Sequence, residues 1–289
     1  MVVALPAGPA TGPPLPHEVV IGAEHGRPSI AGLREIWEYR EVLWTFAWRR
    51  VKVRYKQAAF GLGWAVLQPL FSAALFAIFI GRVARLGSEG TPYFAFALTG
   101  MVIWTFFSNL TLTGLNSLVT DQYLLRKVYF PREALPLSVL PSSLFDLAPA
   151  LVVAVVVDVT SARGPNLAWL AVPIPLIIAA TCGVALGLSL SALNLYYRDF
   201  GQILPFFLQA GLFATPVIYS MGKIPAHLRG LYCSLNPVAP AVDGARRILL
   251  HGQWPNWSES GLGLGTSAAL LTASYYLFKR LEYGFSDRV

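Results

Sequence analysis

Residues 90–120 read GTPYFAFALTGMVIWTFFSNLTLTGLNSLVT, a run of 31 positions without one Asp, Glu, Lys or Arg. A bilayer core of about 30 Å is crossed by about 20 apolar residues in a helix. Hydrocarbon offers the backbone no hydrogen-bond partner, so such a run satisfies its own N–H and C=O groups by becoming helical. The stretch therefore predicts a membrane-spanning helix at about Tyr93–Leu118.

Five other segments of the chain have the same character. Four run for 19 residues or more without a charged residue, and a fifth, residues 134–157, is interrupted only by Asp146. The corresponding spans are predicted at about Leu62–Ile80, Leu135–Val157, Ala168–Leu195, Ile203–Tyr219 and Leu262–Phe278. Three prolines in the third span predict a kinked or interrupted helix. The expected fold class is an all-α membrane protein with six transmembrane helices.

The composition excludes a soluble domain and explains the basic charge. Of 289 residues, 55% are apolar and 13% are charged, whereas soluble domains carry about 25% charged residues. The net charge of +7 fits the positive-inside rule better than nucleic-acid binding, because cytoplasmic termini would put 15 of 22 Lys and Arg residues inside. Residues 1–30, with six prolines and four glycines, are predicted to be a disordered cytoplasmic tail. Residues 31–289 then form one membrane domain.

Residues 31–56 combine helical apolar spacing with a basic end. We expect an amphipathic helix in the plane of the cytoplasmic leaflet, although packing on a soluble domain is the alternative. Its cations would attract either anionic lipid in general or the pyrophosphate of a lipid-linked substrate. These lipid-headgroup candidates are Arg49, Arg50, Lys52, Arg54 and Lys56.

The segment before the sixth span predicts a re-entrant element. Residues 230–242 carry no charge but number only 13, which is too few to cross the bilayer. A short helix is expected at Pro240–His251, with Asp243 spaced to meet Arg246 and Arg247 on one face. The candidate external gate consists of Asn236, Pro237, Pro240, Asp243 and Arg246.

Motifs for catalysis, nucleotide binding and metal binding do not occur in the sequence. It contains no GxxxxGK[ST], HExxH, CxxC or GxSxG, so ATP is not bound by a phosphate-binding loop of that kind. No catalytic residue and no metal site is assigned, and neither Cys182 nor Cys233 is assigned to a disulfide. Asp146 lies within a span, where an ionisable residue indicates either function or a structural hydrogen bond.

Four short pieces of sequence occur in a definite order. The first is RYK at 54–56 with LGW at 62–64 and QP at 68–69, and the second is FPRE at 130–133 with LP at 135–136. The third is LNLYYRDF at 193–200, which leads to TPVIY at 215–219, and the fourth is NP at 236–237. In this order and spacing they resemble the permease subunits of type-2 ABC exporters for bacterial polysaccharides. The resemblance covers about residues 31–285.

The resemblance implies six spans, an amphipathic helix before the first span and re-entrant helices before the sixth. It implies a homodimer in the bacterial inner membrane, with cytoplasmic termini and two copies of a separate ATPase subunit. That partner would bind ATP and Mg²⁺, so no cofactor is expected in this chain. The cargo of the family is O-antigen, capsule or teichoic acid, usually on an undecaprenyl lipid.

Two groups of residues are candidates for coupling and for the glycan path. Stiff cytoplasmic elements would transmit the ATPase motion, unless their cations merely set topology. The coupling candidates are Leu125, Arg126, Lys127, Tyr129, Phe130, Arg132, Glu133, Tyr197, Arg198 and Asp199. Aromatic rings suit a glycan path because sugar C–H faces pack on them, although each ring could instead pack on lipid or another helix. The path candidates are Phe71, Phe76, Phe79, Phe206, Phe207, Phe213 and Tyr219.

Two other functions remain open at this point. A type-2 ABC exporter of a small drug or a free lipid would have a similar sequence pattern. A membrane-embedded enzyme acting on polyprenyl lipids would need clustered carboxylates or histidines at one interface, whereas Asp146 is alone in its span.

Overall fold

The computed structural model describes five ranges of the chain, namely residues 37–56, 60–83, 90–127, 130–161 and 166–287. Within these ranges the chain consists of helices joined by short turns, and no strand occurs. The predicted tail, residues 1–30, lies outside the described residues.

The α-helices of the described ranges are numbered here in chain order. They are α1 Arg40–Lys56, α2 Gly63–Phe76, α3 Tyr93–Thr120, α4 Gln122–Lys127, α5 Ala134–Leu137, α6 Val139–Ser161, α7 Pro173–Tyr196, α8 Asp199–Ala214, α9 Ala226–Leu235, α10 Val238–Leu249 and α11 Trp257–Glu282. A π-helical segment, Ala77–Val83, continues α2, and the 3₁₀ turn Leu167–Ala171 precedes α7.

Four helical segments are long and apolar enough to cross a membrane. They are Gly63–Arg82, Tyr93–Thr120, Ala134–Thr160 and Leu167–Tyr196, which agree with the first four predicted spans. Of the other two predicted spans, α11 has 26 residues and α8 has only 16, or about 24 Å at 1.5 Å per residue. The protein is membrane-embedded, while the count of six spans stays a prediction.

Two of the predicted spans differ in shape from a simple rod. The third is divided at Ser138, between α5 and α6, in agreement with the interruption expected from its prolines. The fifth ends at Ala214 rather than Tyr219, because residues 215–220 leave the helix. That early end leaves backbone carbonyls without helical partners.

Helix α3 forms the centre of the bundle and packs on α2, α6, α7 and α10. Its contact with α7 depends on small residues, since a Cβ placed on Gly114 would lie 2.8 Å from the Cα of Gly187. Such close backbone approach is typical of helix packing in membranes, where burial against lipid supplies little driving force. By contrast, no side chain of α8 is fully buried.

The two ends of the bundle are distinct. The end that carries α1, called the α1 end, has its own apolar cluster around Leu118, Phe130 and Phe278. Helix α1 packs on α5 and α6, while Trp37 and Trp44 point outward and are exposed. The opposite end carries α9 and α10, and is called the hairpin end.

Candidate functional site

Asp121 joins α1 to the end of α3. It is the C-cap residue of α3, and its side chain accepts bonds from Arg49 and, at 3.0 Å, from Arg50. A carboxylate at a helix C-terminus is opposed by the helix dipole, and the side chain is only 7% exposed. Two guanidinium groups offset both costs, so α1 is held to α3 by charge.

Asp146 joins α1 to α6 in the same way. Its carboxylate accepts a bond from Arg54 and a 2.5 Å bond from the Tyr55 hydroxyl. Burial, together with the bond to Asp146, raises the pKa of Tyr55 to about 12. Of the two roles that the sequence left open for Asp146, the structure shows the structural hydrogen bond, and the partners are Arg54 and Tyr55 of α1.

These ion pairs bear on the predicted lipid-headgroup cations. Arg49, Arg50 and Arg54 are engaged by carboxylates of α3 and α6, while the side chains of Lys52 and Lys56 are exposed. The sequence did not show that the inner side of α1 carries charge. A headgroup role stays a prediction for the set, and it fits the two lysines best.

The coupling candidates around Glu133 are buried. Glu133 is fully inaccessible, and its Oε1 lies 2.8 Å from Nζ of Lys279, which also lies 3.0 Å from Oε2 of Glu282. Arg132 donates a 2.9 Å bond to the backbone oxygen of Glu282. Phe130 is also buried. The side chains of Glu133 and Phe130 are therefore not on the surface and instead join the segment before α5 to the end of α11. A coupling role for these residues stays a prediction.

The other coupling candidates differ in exposure. Tyr197 is exposed, as are Arg198 and Asp199 beside it. Leu125 packs against the apolar cluster of the α1 end. Tyr129 lies outside the described residues, as do the side chains of Arg126 and Lys127.

Arg246 organises the hairpin end. It is 2% exposed and donates to the backbone oxygens of Pro216 at 2.5 Å, Tyr219 at 3.3 Å and Val217, all just beyond α8. It also donates to the oxygen of Phe96 at 3.1 Å, with its guanidinium 3.5 Å above that ring. A cation is favoured at the C-terminal end of a helix, where carbonyls are left unsatisfied. Arg246 therefore holds the residues just after the C-terminal end of α8 against α3.

The rest of the predicted gate forms a helical hairpin. Asn236 and Pro237 separate α9 from α10, and Asn236 donates a 2.9 Å bond to the Thr215 hydroxyl. Helix α10 begins at Val238, so the predicted start at Pro240 is wrong by two residues; Pro240 is instead buried within the helix.

Asp243 lies on a different side of α10 from the core. It lines a polar cavity of about 230 Å³ together with Arg229, Arg247 and Glu259. The predicted spacing placed Asp243 within reach of Arg246 and Arg247, but it could not show that Arg246 serves the end of α8.

Most predicted glycan-path rings are exposed on α2 and α8. Phe71, Phe79, Phe206, Phe207 and Phe213 are 54–69% exposed. The remaining two rings are engaged within the chain. Phe76 packs against the core, and the Tyr219 hydroxyl lies 3.2 Å from that of Tyr232. A path role stays a prediction and suits the exposed rings.

Several site residues have partners that could not be recognised in the sequence. Asp121 follows span two directly, and Lys279 and Glu282 follow span six. The available signal for Asp121 was its place in the sequence, directly after a predicted span in a chain that also has a basic helix before its first span. No spacing rule connects residue 133 to residue 279.

Comparison with known proteins identifies the family. The model of the ABC-2 type transporter family matches residues 41–250. An O-antigen export system permease protein, RfbA of Myxococcus xanthus, is 27% identical over 258 residues, covering 89% of this chain and 98% of that protein. RfbA of Klebsiella pneumoniae is 28% identical over 240 residues, covering 82% of this chain and 90% of that protein. The polysialic acid transport protein KpsM of Escherichia coli is 20% identical over 232 residues, covering 79% of this chain and 87% of that protein. The family match runs from α1 to the end of α10, and the chain belongs to the ABC-2 type transporter family.

Proposed function

We propose that the chain is the permease subunit of an ATP-driven exporter that moves a lipid-linked polysaccharide across the bacterial inner membrane. The observation that carries the proposal is similarity over nearly the whole length of O-antigen export permeases, including 98% of the Myxococcus protein. The polysialic acid transport protein, a relative for a second polymer, supports a polysaccharide cargo in general. An undecaprenyl lipid would carry the glycan.

ATP hydrolysis belongs to a separate ATPase subunit in this proposal. The sequence contains no GxxxxGK[ST] motif, and the permease would work as a homodimer with two copies of the ATPase. The exposed turn at Tyr197–Asp199 and helix α4 offer surfaces at the α1 end on which such a partner could dock.

Motion at that surface would reach three parts of the permease. Asp121, held by Arg49 and Arg50, directly precedes α4. At the other end of the same segment, Glu133 is paired with Lys279 of α11. A displacement of residues 121–133 would therefore move α1, α5 and α11 together. An ATP-driven change acts only through contacts that differ between two states, and these ion pairs are the contacts that we expect to differ.

The orientation follows from charge and from the exposed rings of α1. Cytoplasmic termini put 15 of 22 basic residues inside. Trp37, Trp44 and Trp48 on the outer face of α1 suit the membrane interface, where tryptophan is enriched. The hairpin end then faces outward, and the exposed rings of α2 and α8 would flank the glycan path between two copies.

The test is reconstitution of the tagged chain with a candidate ABC ATPase subunit from the same bacterium. We expect the two proteins to co-purify in equal amounts and to hydrolyse ATP faster when lipid-linked glycan is added. Polyprenyl phosphate without sugar is the control. Equal stimulation by both lipids would indicate an exporter of free lipid, and failure to co-purify would contradict the permease assignment.

A further inference from the structure

A cavity of about 270 Å³ opens at the α1 end, between α1, α2, α3 and α6. Its mouth is formed by exposed side chains, including Trp64 and Gln68 of α2. Its floor is buried and includes Phe106 and Ser143. The ion pair of Arg54 with Asp146 forms one wall. The cavity lies within one protomer, apart from the exposed rings assigned above to the glycan path.

Ser143 indicates that the cavity holds a polar ligand. It is 3% exposed, and its hydroxyl has no hydrogen-bond partner among the residues that the structure describes. Buried polar groups in folded proteins almost always have a partner. The hydroxyl lines the cavity, so a ligand in this space is in position to bond it.

Two amide side chains, Gln68 of α2 and Asn109 of α3, line the same cavity. Neither makes a hydrogen bond to another group in the part of the chain that the structure describes. Each amide offers two donors and an acceptor, which matches a ligand with neighbouring hydroxyl groups. The Trp64 side chain is 55% exposed and can pack on an apolar ring face.

The charge of the cavity argues against a phosphate as its ligand. Among the described residues that line it, the only cation is Arg54, which is already paired with Asp146, so this part of the wall is close to neutral. A phosphate would bind better to a free cation. The volume is below the range of about 300–1,000 Å³ for drug-sized ligands, so it suits one small ring rather than a chain.

We propose that this cavity binds a single hexopyranose ring of the lipid-linked glycan, with Gln68, Asn109 and Ser143 bonding its hydroxyls and Trp64 covering one face. The proposal rests on the proposed function, and it adds a sugar subsite inside each protomer. Because Arg54 and Tyr55 form the wall, a bound ring would also contact the ion-pair system that positions α1.

Fluorine NMR on the permease–ATPase complex in nanodiscs tests the proposal. All tryptophans would be replaced by 5-fluorotryptophan, and the Trp64 signal would be assigned by its loss in Trp64→Phe. The probes are octyl β-D-glucopyranoside and octyl α-D-mannopyranoside. Tetraethylene glycol monooctyl ether is the control, since it has the same alkyl chain without a sugar. We expect a saturable shift of the Trp64 signal with at least one glycoside and none with the control.

Variants locate the binding in the cavity. Asn109→Leu should weaken the response about tenfold, because a sugar hydroxyl loses its partner, and Ser143→Ala should weaken it by less. Ser108→Ala removes a hydroxyl from the same turn of α3 outside the cavity and should change nothing. Equal shifts with glycosides and control, no shift with either glycoside, or an unchanged response in Asn109→Leu would overturn the proposal.

The outcome can be separated from that of the proposed function. Sugar binding is measured without export, and surface polysaccharide is measured without octyl glycosides. A permease that exports polysaccharide but shows no Trp64 shift would refute the subsite alone. A permease that binds glycosides here but whose deletion leaves the surface polysaccharide unchanged would refute the proposed function alone.

Discussion

Replacing Arg246 with Met should cost about 3 kcal/mol of the free energy of unfolding. The guanidinium donates to four backbone carbonyls, those of Phe96, Pro216, Val217 and Tyr219, and bonds from a charged donor contribute about 1.5–3 kcal/mol each. The contact with the Phe96 ring adds up to about 2 kcal/mol. Against this, Met avoids the several kcal/mol that burying a cation costs. Desolvation of the cation offsets most of these gains. The net cost is then the penalty for three carbonyls beyond α8 that lose their donor, at about 1 kcal/mol each, or about 3 kcal/mol in all.

The thermal midpoint in detergent, followed by size-exclusion chromatography of heated samples, measures this cost. At about 2–4 °C per kcal/mol, Arg246→Met should melt about 6–12 °C below wild type. Arg247→Met is the matched control, since its guanidinium is partly exposed and makes only 3.5 Å contacts with Trp254 and Gln253. It should melt within about 2 °C of wild type. The reasoning fails if Arg246→Met melts with the wild type, or if Arg247→Met loses as much.

Three further predictions concern packing, coupling and orientation. Gly114→Leu should abolish the monodisperse peak of the purified protein, because its side chain would overlap Gly187, whereas Gly265→Leu, with open space around it, should leave the peak intact. Glu133→Lys should uncouple ATP hydrolysis from glycan in the reconstituted complex and should be partly rescued by Lys279→Glu, which restores opposite charges at 2.8 Å; identical defects in the single and double variants would remove this ion pair from the coupling path. In a Cys182→Ala, Cys233→Ala background, Ser258→Cys should react with an impermeant thiol reagent in intact cells while Ser29→Cys and Ser286→Cys should not, and labelling at position 29 would reverse the proposed orientation.

The features that depend on local composition could be predicted from the sequence. The first four spans were predictable because hydrocarbon forces long uncharged runs into helices. The prolines of the third span gave a local signal for its break at Ser138. The division between α9 and α10 at Asn236 also has a local signal, because Pro237 comes directly after it, although α10 begins earlier than Pro240 suggested.

The features that depend on contacts between distant residues could not be predicted. Nothing in the spacing of Arg246 shows that the carbonyls of residues 216–219 will be left unsatisfied. Glu133 looked like a surface charge in a basic loop, and only the fold brings Lys279 to it. The cations of α1 likewise looked available to lipid until Asp121 and Asp146 were placed beside them.

The fate of the polysaccharide in a deletion strain is the most direct test that this chain is a polysaccharide export permease. We expect cells without this chain to lose their surface polysaccharide and to accumulate it inside, still attached to its lipid. A plasmid copy of the gene should restore the surface polymer. It should fail to do so in cells whose partner ATPase cannot hydrolyse ATP. A deletion strain whose surface polysaccharide is unchanged in amount and length would contradict the account.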